Sequence, residues 1–196
     1  GSDSLSIQVI AQKLPDTGQT VSYTTTFGED ADYTNNPPSY TKLDESARDL
    51  DPTANTWAMV RDNVTGLIWE VKTTDGTIHD VERTYSYSDA KAIFIENLNG
   101  ATFGGYSDWR LPTVMELYTI VSGAYTNLAI NQNYFPNRPD TTEPWYWSDT
   151  LKYGSTDRPW VIDFASGKAV GYEGTIYYVR AVRGPQLNFG RFADNG

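Results

Sequence analysis

The sequence lacks several residue types on which common enzyme and metal chemistries depend. Its 196 residues include no cysteine and only one histidine, His79. The absence of cysteine excludes disulfides, thiolate catalysis, iron–sulfur clusters and cysteine-ligated zinc. A single histidine excludes a multi-histidine metal site and argues against a histidine-dependent catalytic triad. No apolar run approaches the roughly 18 residues needed to cross a membrane.

Basic residues are scarce relative to acidic ones. Lys and Arg number 15 and Asp and Glu 25, which gives a net charge of −10 and an isoelectric point near 4.4. A nucleic-acid-binding protein normally presents a basic face, so this balance argues against that class. It argues equally against general electrostatic binding to an anionic membrane surface. We therefore expect no nucleic-acid partner and no membrane insertion.

The residue pattern changes near residue 56. Residues 1–56 contain nine acidic and three basic residues, and the proline pair at 37–38 disfavours a helix or a central strand. The alternative is a disordered tail, but four aromatic residues argue against ordinary disorder: Tyr23, Phe27, Tyr33 and Tyr40. We predict an acidic, mostly irregular N-terminal arm over 1–56, packed on a body formed by 57–196.

The body begins with two predicted strands, at 57–60 and 67–71, and continues with two predicted helices. Ser86 and Asp89 resemble a capping box at the start of a helix that ends at 99–100. Its apolar side is formed by Ala90, Phe94 and Leu98, with Ile93 beside them. Thr113 and Glu116 form a second capping box, and Gly123 ends that helix. Its predicted core-facing residues are Val114, Leu117, Ile120 and Val121.

Four strand candidates follow the helices, at 145–147, 160–164, 168–172 and 177–183. Helices and strands are thus segregated along the chain. This order predicts the α+β class, with two helices packed on an antiparallel sheet.

The DWRLP motif at 108–112 precedes the second helix. One interpretation is a ligand-facing Trp109 and Arg110. We favour a structural corner, in which Trp109 fills the core while Arg110 and Asp108 bond to the backbone and to nearby carboxylates.

Two other motifs have a functional and a structural interpretation. The turn at 62–66 carries oxygen groups that suit Ca²⁺, but it lacks the alternating acids of an EF-hand loop, so we favour a plain turn. The neighbours His79 and Asp80 resemble a general-base pair, but no nucleophile motif accompanies them. We therefore favour a loop histidine without a catalytic role.

Residues 138–183 differ in composition from the rest of the chain. They hold six basic and six acidic residues, so this stretch is neutral within a chain of charge −10, and it is rich in Tyr and Trp. Exposed Tyr and Trp among small polar residues are typical of binding surfaces. The alternative, that these aromatics are all core or edge residues, stays open at this point.

Four motifs, in this order, carry a family resemblance: VRDNVTGLIWE at 60–70, GGYSDWRLPT at 104–113 with Glu116 and Leu117 after it, YWSDT at 146–150, and YVRAVRG at 178–184. The chain resembles the C-terminal domain family of the Legionella collagen-like adhesin. The resemblance spans about 57–184 and implies a C-type-lectin-like fold. It also implies a bacterial binding module that is secreted or displayed at the cell surface.

Three departures from related families limit what the resemblance implies. The adhesin binds anionic glycans through positive charge, whereas this chain has a net charge of −10, which argues against heparin-like ligands. Glu143 and Pro144 are followed by Trp145, so the sugar motif of calcium lectins is absent. Without cysteine, the activity of the formylglycine-generating relatives does not carry over.

We predict a non-enzymatic extracellular domain that binds a glycan or a protein. The predicted ligand-binding residues are Tyr153, Arg158, Trp160, Lys168, Tyr172, Glu173 and Tyr177. No catalytic residue and no cofactor is predicted, and Ca²⁺ binding stays open. The main alternative is a structural domain of a surface fibre or homo-oligomer. A third class, a carbohydrate-active enzyme, requires two carboxylates facing each other across a cleft.

Overall fold

The computed structural model describes residues 13–123, 129–171 and 174–187, and it confirms the α+β class. Within these ranges, nine strands and two helices carry the fold. In chain order the strands are β1 (Tyr40–Leu43), β2 (Met59–Asp62), β3 (Ile68–Glu70), β4 (Thr84–Tyr85), β5 (Trp145–Leu151), β6 (Pro159–Asp163), β7 (Lys168–Gly171), β8 (Tyr177–Tyr178) and β9 (Val182–Arg183).

The strands form two sheets. The first has the order β1-β2-β3-β9 and is antiparallel throughout; the second has the order β4-β8-β5-β6-β7. In the second sheet, β5 and β8 run parallel, with Tyr146 opposite Tyr178. The predicted antiparallel arrangement therefore holds for every strand pair except this one.

The strand predicted over 177–183 is divided between the two sheets. β8 belongs to the second sheet and β9 to the first, and Val179, Arg180 and Ala181 carry the chain from one to the other. All three connecting residues are buried. The crossing therefore divides the stretch 177–183, whose sequence pattern predicts one uninterrupted strand.

The first helix, α1, spans 87–100 and contains a π-helical middle, Ala90–Ile95, between the α-helical segments Tyr87–Asp89 and Glu96–Gly100. Its predicted start is confirmed, because the Ser86 side chain accepts a hydrogen bond from the Asp89 N–H. The prediction for Ile93 was wrong: its side chain is 47% exposed, and Ile95 is buried instead. The wider π-helical turn brings Ile95, five residues after Ala90, to the core side.

The second helix, α2, spans Val114–Thr119 and begins with the predicted capping box. The Thr113 hydroxyl accepts from the Glu116 N–H, and the Glu116 carboxylate accepts from the Thr113 N–H. The helix ends four residues before Gly123, because Val121 leaves it to form a β-bridge with Ile130.

Two hydrophobic clusters lie within the fold, and the sheets contribute to both. Along a strand, successive side chains point to opposite faces. Trp147 and Val161 belong to the first cluster, whereas Tyr146 and Ile162 belong to the second. Helix α1 completes the first cluster and α2 the second. The two helices therefore fill different cores.

The described part of the N-terminal arm contacts the body. The Thr17 carbonyl accepts a hydrogen bond from the Gly123 N–H at 3.0 Å, and β1 pairs along its full length with β2. Residues 40–43 are thus part of the first sheet. The division of the chain at residues 56 and 57 stays a prediction.

Glu29 organises an exposed turn within the arm. Its carboxylate accepts from the Tyr23 N–H at 2.8 Å and the Thr24 N–H at 2.7 Å, and also from the hydroxyls of Ser22 and Thr24. The N–H of Tyr23, followed by the Thr24 hydroxyl and N–H, lowers the pKa of Glu29 from 4.5 to about 2. The turn therefore depends on the ionised carboxylate.

We expect an NMR titration of the Glu29 carboxyl group to give a pKa of about 2. Because the folded-state pKa lies below the unfolded value, the stabilisation is present above pH 4.5 and is lost as the pH falls towards 2. Glu29→Gln should remove the hydrogen-exchange protection of the Tyr23 and Thr24 amides at neutral pH. Glu96→Gln, an exposed site on α1, is the control, and equal protection in both variants would contradict the assignment.

Candidate functional site

Three of the seven predicted ligand-binding residues lie at one end of the β5–β6 hairpin. Tyr153 is fully exposed, Arg158 is exposed, and Trp160 is half-buried. Lys152 joins them: its N–H donates to the Arg158 carbonyl at 2.8 Å, and its Nζ lies 5.8 Å from the centroid of the Trp160 ring. We call Lys152, Tyr153, Arg158 and Trp160 the hairpin-end surface.

The structure does not bring Lys168 or Tyr177 to this surface. In the β6–β7 pair, Trp160 lies opposite Gly171 and Asp163 lies opposite Lys168. Because side chains alternate along a strand, Trp160 and Lys168 point to opposite faces of the sheet. Tyr177 packs against Trp147, with ring centroids 4.7 Å apart, as part of the first cluster. Tyr172 and Glu173 lie outside the described residues.

The DWRLP motif is a structural corner, as the sequence predicts. Trp109 is buried, and its indole N–H donates to the Phe103 carbonyl at 2.9 Å. The Arg110 guanidinium forms two hydrogen bonds, each 2.7 Å, with the fully buried Glu116 carboxylate. Asp108 pairs with Arg183. These side chains hold the segment that precedes α2 against β9.

The side-chain oxygens of Asp62 and Asn63 in the 62–66 turn already accept hydrogen bonds from the protein. The Asp62 carboxylate accepts hydrogen bonds from the Val64 and Thr65 N–H groups and from the Thr65 hydroxyl. Burial raises the pKa of Asp62 despite these bonds. Across the described ranges, no group of three or more His, Asp or Glu side chains is arranged to hold a metal ion.

His79 belongs to a buried charged cluster. Its Nδ1 lies 2.8 Å from Oε1 of Glu70, and Lys72 Nζ donates to the same oxygen at 3.0 Å. The other Glu70 oxygen accepts from the Ala181 N–H, and the Arg180 guanidinium donates to the Glu70 carbonyl. Burial acts to raise the pKa of Glu70, but Lys72 and His79 outweigh it and the net pKa is lowered.

The disfavoured alternative, a His79–Asp80 pair, is not formed, because His79 Nδ1 lies on Glu70. The Asp80 carboxylate instead accepts from the backbone N–H groups of Gly76 and Glu82. Sequence reasoning missed Glu70 and Lys72. A sequence pattern could have indicated this pair: two opposite charges lie two positions apart, and hence on one face, at the end of an otherwise apolar strand.

Three open cavities lie along the loop that joins β1 to β2, and sequence reasoning did not predict them. Their volumes are about 490, 430 and 400 Å³. The first is lined by Lys42, Trp57 and Tyr134 with loop residues, and Trp57 also lines the second. The second and third share Glu45, Ala58 and Thr73. No motif marks this loop as a site.

The fold and its surfaces define a small α+β domain with open, solvent-facing cavities and an exposed aromatic hairpin end. Residues 58–183 match the model of the Lcl C-terminal domain, and the chain belongs to that family. Membership confirms the resemblance carried by the four motifs, identifies an adhesin-related domain and indicates a surface location. A search of curated proteins finds no match. None of the described helices has the length and apolar character needed to span a bilayer.

Proposed function

We propose that this adhesin-related domain is an extracellular, non-enzymatic module with a C-type-lectin-like arrangement that binds a glycan or protein ligand on the hairpin-end surface. The observation that carries the proposal is the fully exposed Tyr153 beside the half-buried Trp160. Tyr, Trp and Arg dominate the energetics of binding surfaces, and all three residue types meet here.

The charged groups of the hairpin-end surface support the proposal. The Arg158 side chain is exposed, and no described residue forms a hydrogen bond or ion pair with its guanidinium. Lys152 lies over the Trp160 ring and adds a second cation. A ligand that offers an apolar face to the rings and acceptors to these cations fits this arrangement.

One carboxyl group near the third cavity, that of Asp75, does not suit the role of a catalytic acid. Hydrogen bonds from the Thr77 hydroxyl, then from the Thr73 hydroxyl and the Thr77 N–H, lower the pKa of Asp75 from 3.8 to about 2. A glycosidase needs one carboxyl group with a raised pKa as its general acid. Asp75 is unsuited to that role.

We expect the double variant Tyr153→Ala/Trp160→Ala to weaken binding by about 30-fold or more, since each removed residue is a hot-spot type. The ligand is found first by screening the wild-type chain on glycan and protein arrays, with and without EDTA, which also tests for a Ca²⁺ requirement. Affinity is then measured by calorimetry. The matched control is Tyr23→Ala, which removes another exposed tyrosine. Unchanged affinity in a correctly folded double variant, checked by circular dichroism, would remove this surface from the assignment.

One observation favours the alternative, an assembly domain. Met115 and Tyr118 on α2 and Leu151 on β5 are exposed apolar residues. The Val114 N–H donates to the Thr150 hydroxyl, so the start of α2 lies beside the end of β5. A stable oligomer in light scattering that dissociates in Met115→Ser/Leu151→Ser would favour assembly, and a monomer would favour the binding module.

A further inference from the structure

We propose that the largest of the three cavities is a second binding site, which takes a neutral, hydroxyl-rich sugar ring. It is an open cavity that lies between the β1–β2 loop and a later loop around residue 133. Its volume of about 490 Å³ falls within the range of small-molecule sites. Its lining includes Lys42, Asn55, Trp57, Gln132, Asn133 and Tyr134.

Lys42 is the charged group of this cavity. Its side chain is nearly buried, with 9% of the residue exposed, and its Nζ donates to the Ala54 carbonyl at 2.7 Å. The same nitrogen lies 3.7 Å from the Trp57 ring centroid. Among the described residues no carboxylate pairs with it. An ammonium group has three donors, so hydrogen-bonding capacity remains for a ligand oxygen.

Trp57 and Tyr134 supply a fixed aromatic wall. The Trp57 indole N–H donates to the Tyr134 carbonyl at 2.8 Å, which ties the two segments together. The Tyr134 ring packs on Tyr40, with centroids 5.1 Å apart. Both rings are thus held in place before any ligand arrives, which lowers the entropy that binding costs.

Three amides supply the remaining polar groups. The side chains of Asn55, Gln132 and Asn133 are exposed and form no hydrogen bonds with other described residues. Each carries both donors and an acceptor, the combination that satisfies hydroxyl groups. Aromatic rings accept the apolar C–H face of the same sugar.

The charge balance selects a neutral rather than an anionic ring. Lys42 is the only cation among the described lining residues, and its charge is partly offset by the Trp57 ring and the Ala54 carbonyl. Thr53 in the wall is bonded to the Asp51 carboxylate, which brings negative charge close to the cavity. The site lies on the first sheet and is independent of the hairpin-end surface.

The test uses the full ¹⁵N-labelled chain and the methyl glycosides of glucose, galactose, mannose and N-acetylglucosamine. The readout is the indole N–H signal of Trp57, one of six tryptophans, assigned by its loss in Trp57→Phe. We expect at least one glycoside to shift this signal saturably, with a Kd on the order of 1 mM. No shift with any of the four at about 50 mM, fifty times that Kd, would overturn the proposal.

Variants distinguish binding in this cavity from binding elsewhere on the chain. Asn55→Ala/Gln132→Ala should raise the Kd about tenfold, and Lys42→Met should abolish the saturable shift of the Trp57 signal. Asn35→Ala removes an exposed amide in the arm and should leave the Kd unchanged. A sulfated glycoside that binds more tightly than the neutral glycosides, and loses that binding in Lys42→Met, would show that the site prefers an anionic sugar and would overturn the proposal of a neutral one. Tyr153→Ala/Trp160→Ala should leave the Kd measured from the Trp57 signal unchanged. The cavity and the hairpin-end surface are therefore tested independently of each other.

Discussion

Replacing Glu70 by alanine is expected to lower the free energy of unfolding by about 3–5 kcal/mol, the cost of leaving a buried charge without its partner. Lys72, whose side chain is 1% exposed, would lose its carboxylate, and His79 and the Ala181 N–H would lose their acceptor. Urea denaturation followed by tryptophan fluorescence measures the change.

A double-mutant cycle separates the ion pair from simple loss of packing. Glu70→Leu/Lys72→Met removes both charges while keeping apolar volume. We expect the double variant to be less destabilised than the sum of the single variants by about 1–3 kcal/mol, the usual size of coupling between contacting residues. Additive losses would show that the two charges contribute no mutual stabilisation.

The lowered pKa of Glu70 also predicts that the free energy of unfolding depends on pH. Its folded-state pKa is lowered, so its contribution is complete above the unfolded value of 4.5 and is lost as the pH falls through the folded-state value. The difference in unfolding free energy between the wild type and Glu70→Gln should therefore shrink on acidification below about pH 5. A difference that grows in acid would contradict this direction.

Glu116→Ala is expected to have the second-largest effect, a loss of about 3 kcal/mol. The carboxylate accepts two bonds from Arg110, one from the Thr113 N–H and one from the Leu187 N–H at 3.0 Å. Its removal takes away one of the two hydrogen bonds of the α2 capping box, together with the anchor of the last described residues.

The control for Glu116 is Glu45→Ala, which removes an exposed glutamate and should change stability by less than about 0.5 kcal/mol. Thermal unfolding by circular dichroism compares the two variants. A similar melting temperature for both would show that the four hydrogen bonds of Glu116 contribute little.

The sequence predicted local features well because their causes are local. The caps at Ser86 and Thr113 depend on residues three positions apart, and the burial of Trp109 follows from a short, rigid motif. Ile93 was assigned to the wrong side because the π-helical turn is set by packing, which a regular 3.6-residue repeat does not describe. The interruption of 177–183 likewise depends on which sheets the chain joins.

The two proposed binding sites also depend on the tertiary fold, which a local sequence pattern does not reveal. The exposure of Tyr153 and Arg158 could be predicted from a polar turn, but strand register decides that Trp160 and Lys168 face opposite sides. The cavity lined by Lys42 is also lined by Trp57 and Tyr134, which are 77 positions apart in the sequence. Only the tertiary fold brings such residues together, so no local motif predicts the site.

The pairing of β3 with β9 has a consequence for the order of folding. Trp69 lies opposite Val182, so the edge of β3 stays unpaired until nearly the whole domain has left the ribosome. Long-range strand pairing slows folding, and an open strand edge is a site of aggregation. Truncation before β9 should therefore yield an association-prone chain, because β9 covers the edge of β3 in the first sheet.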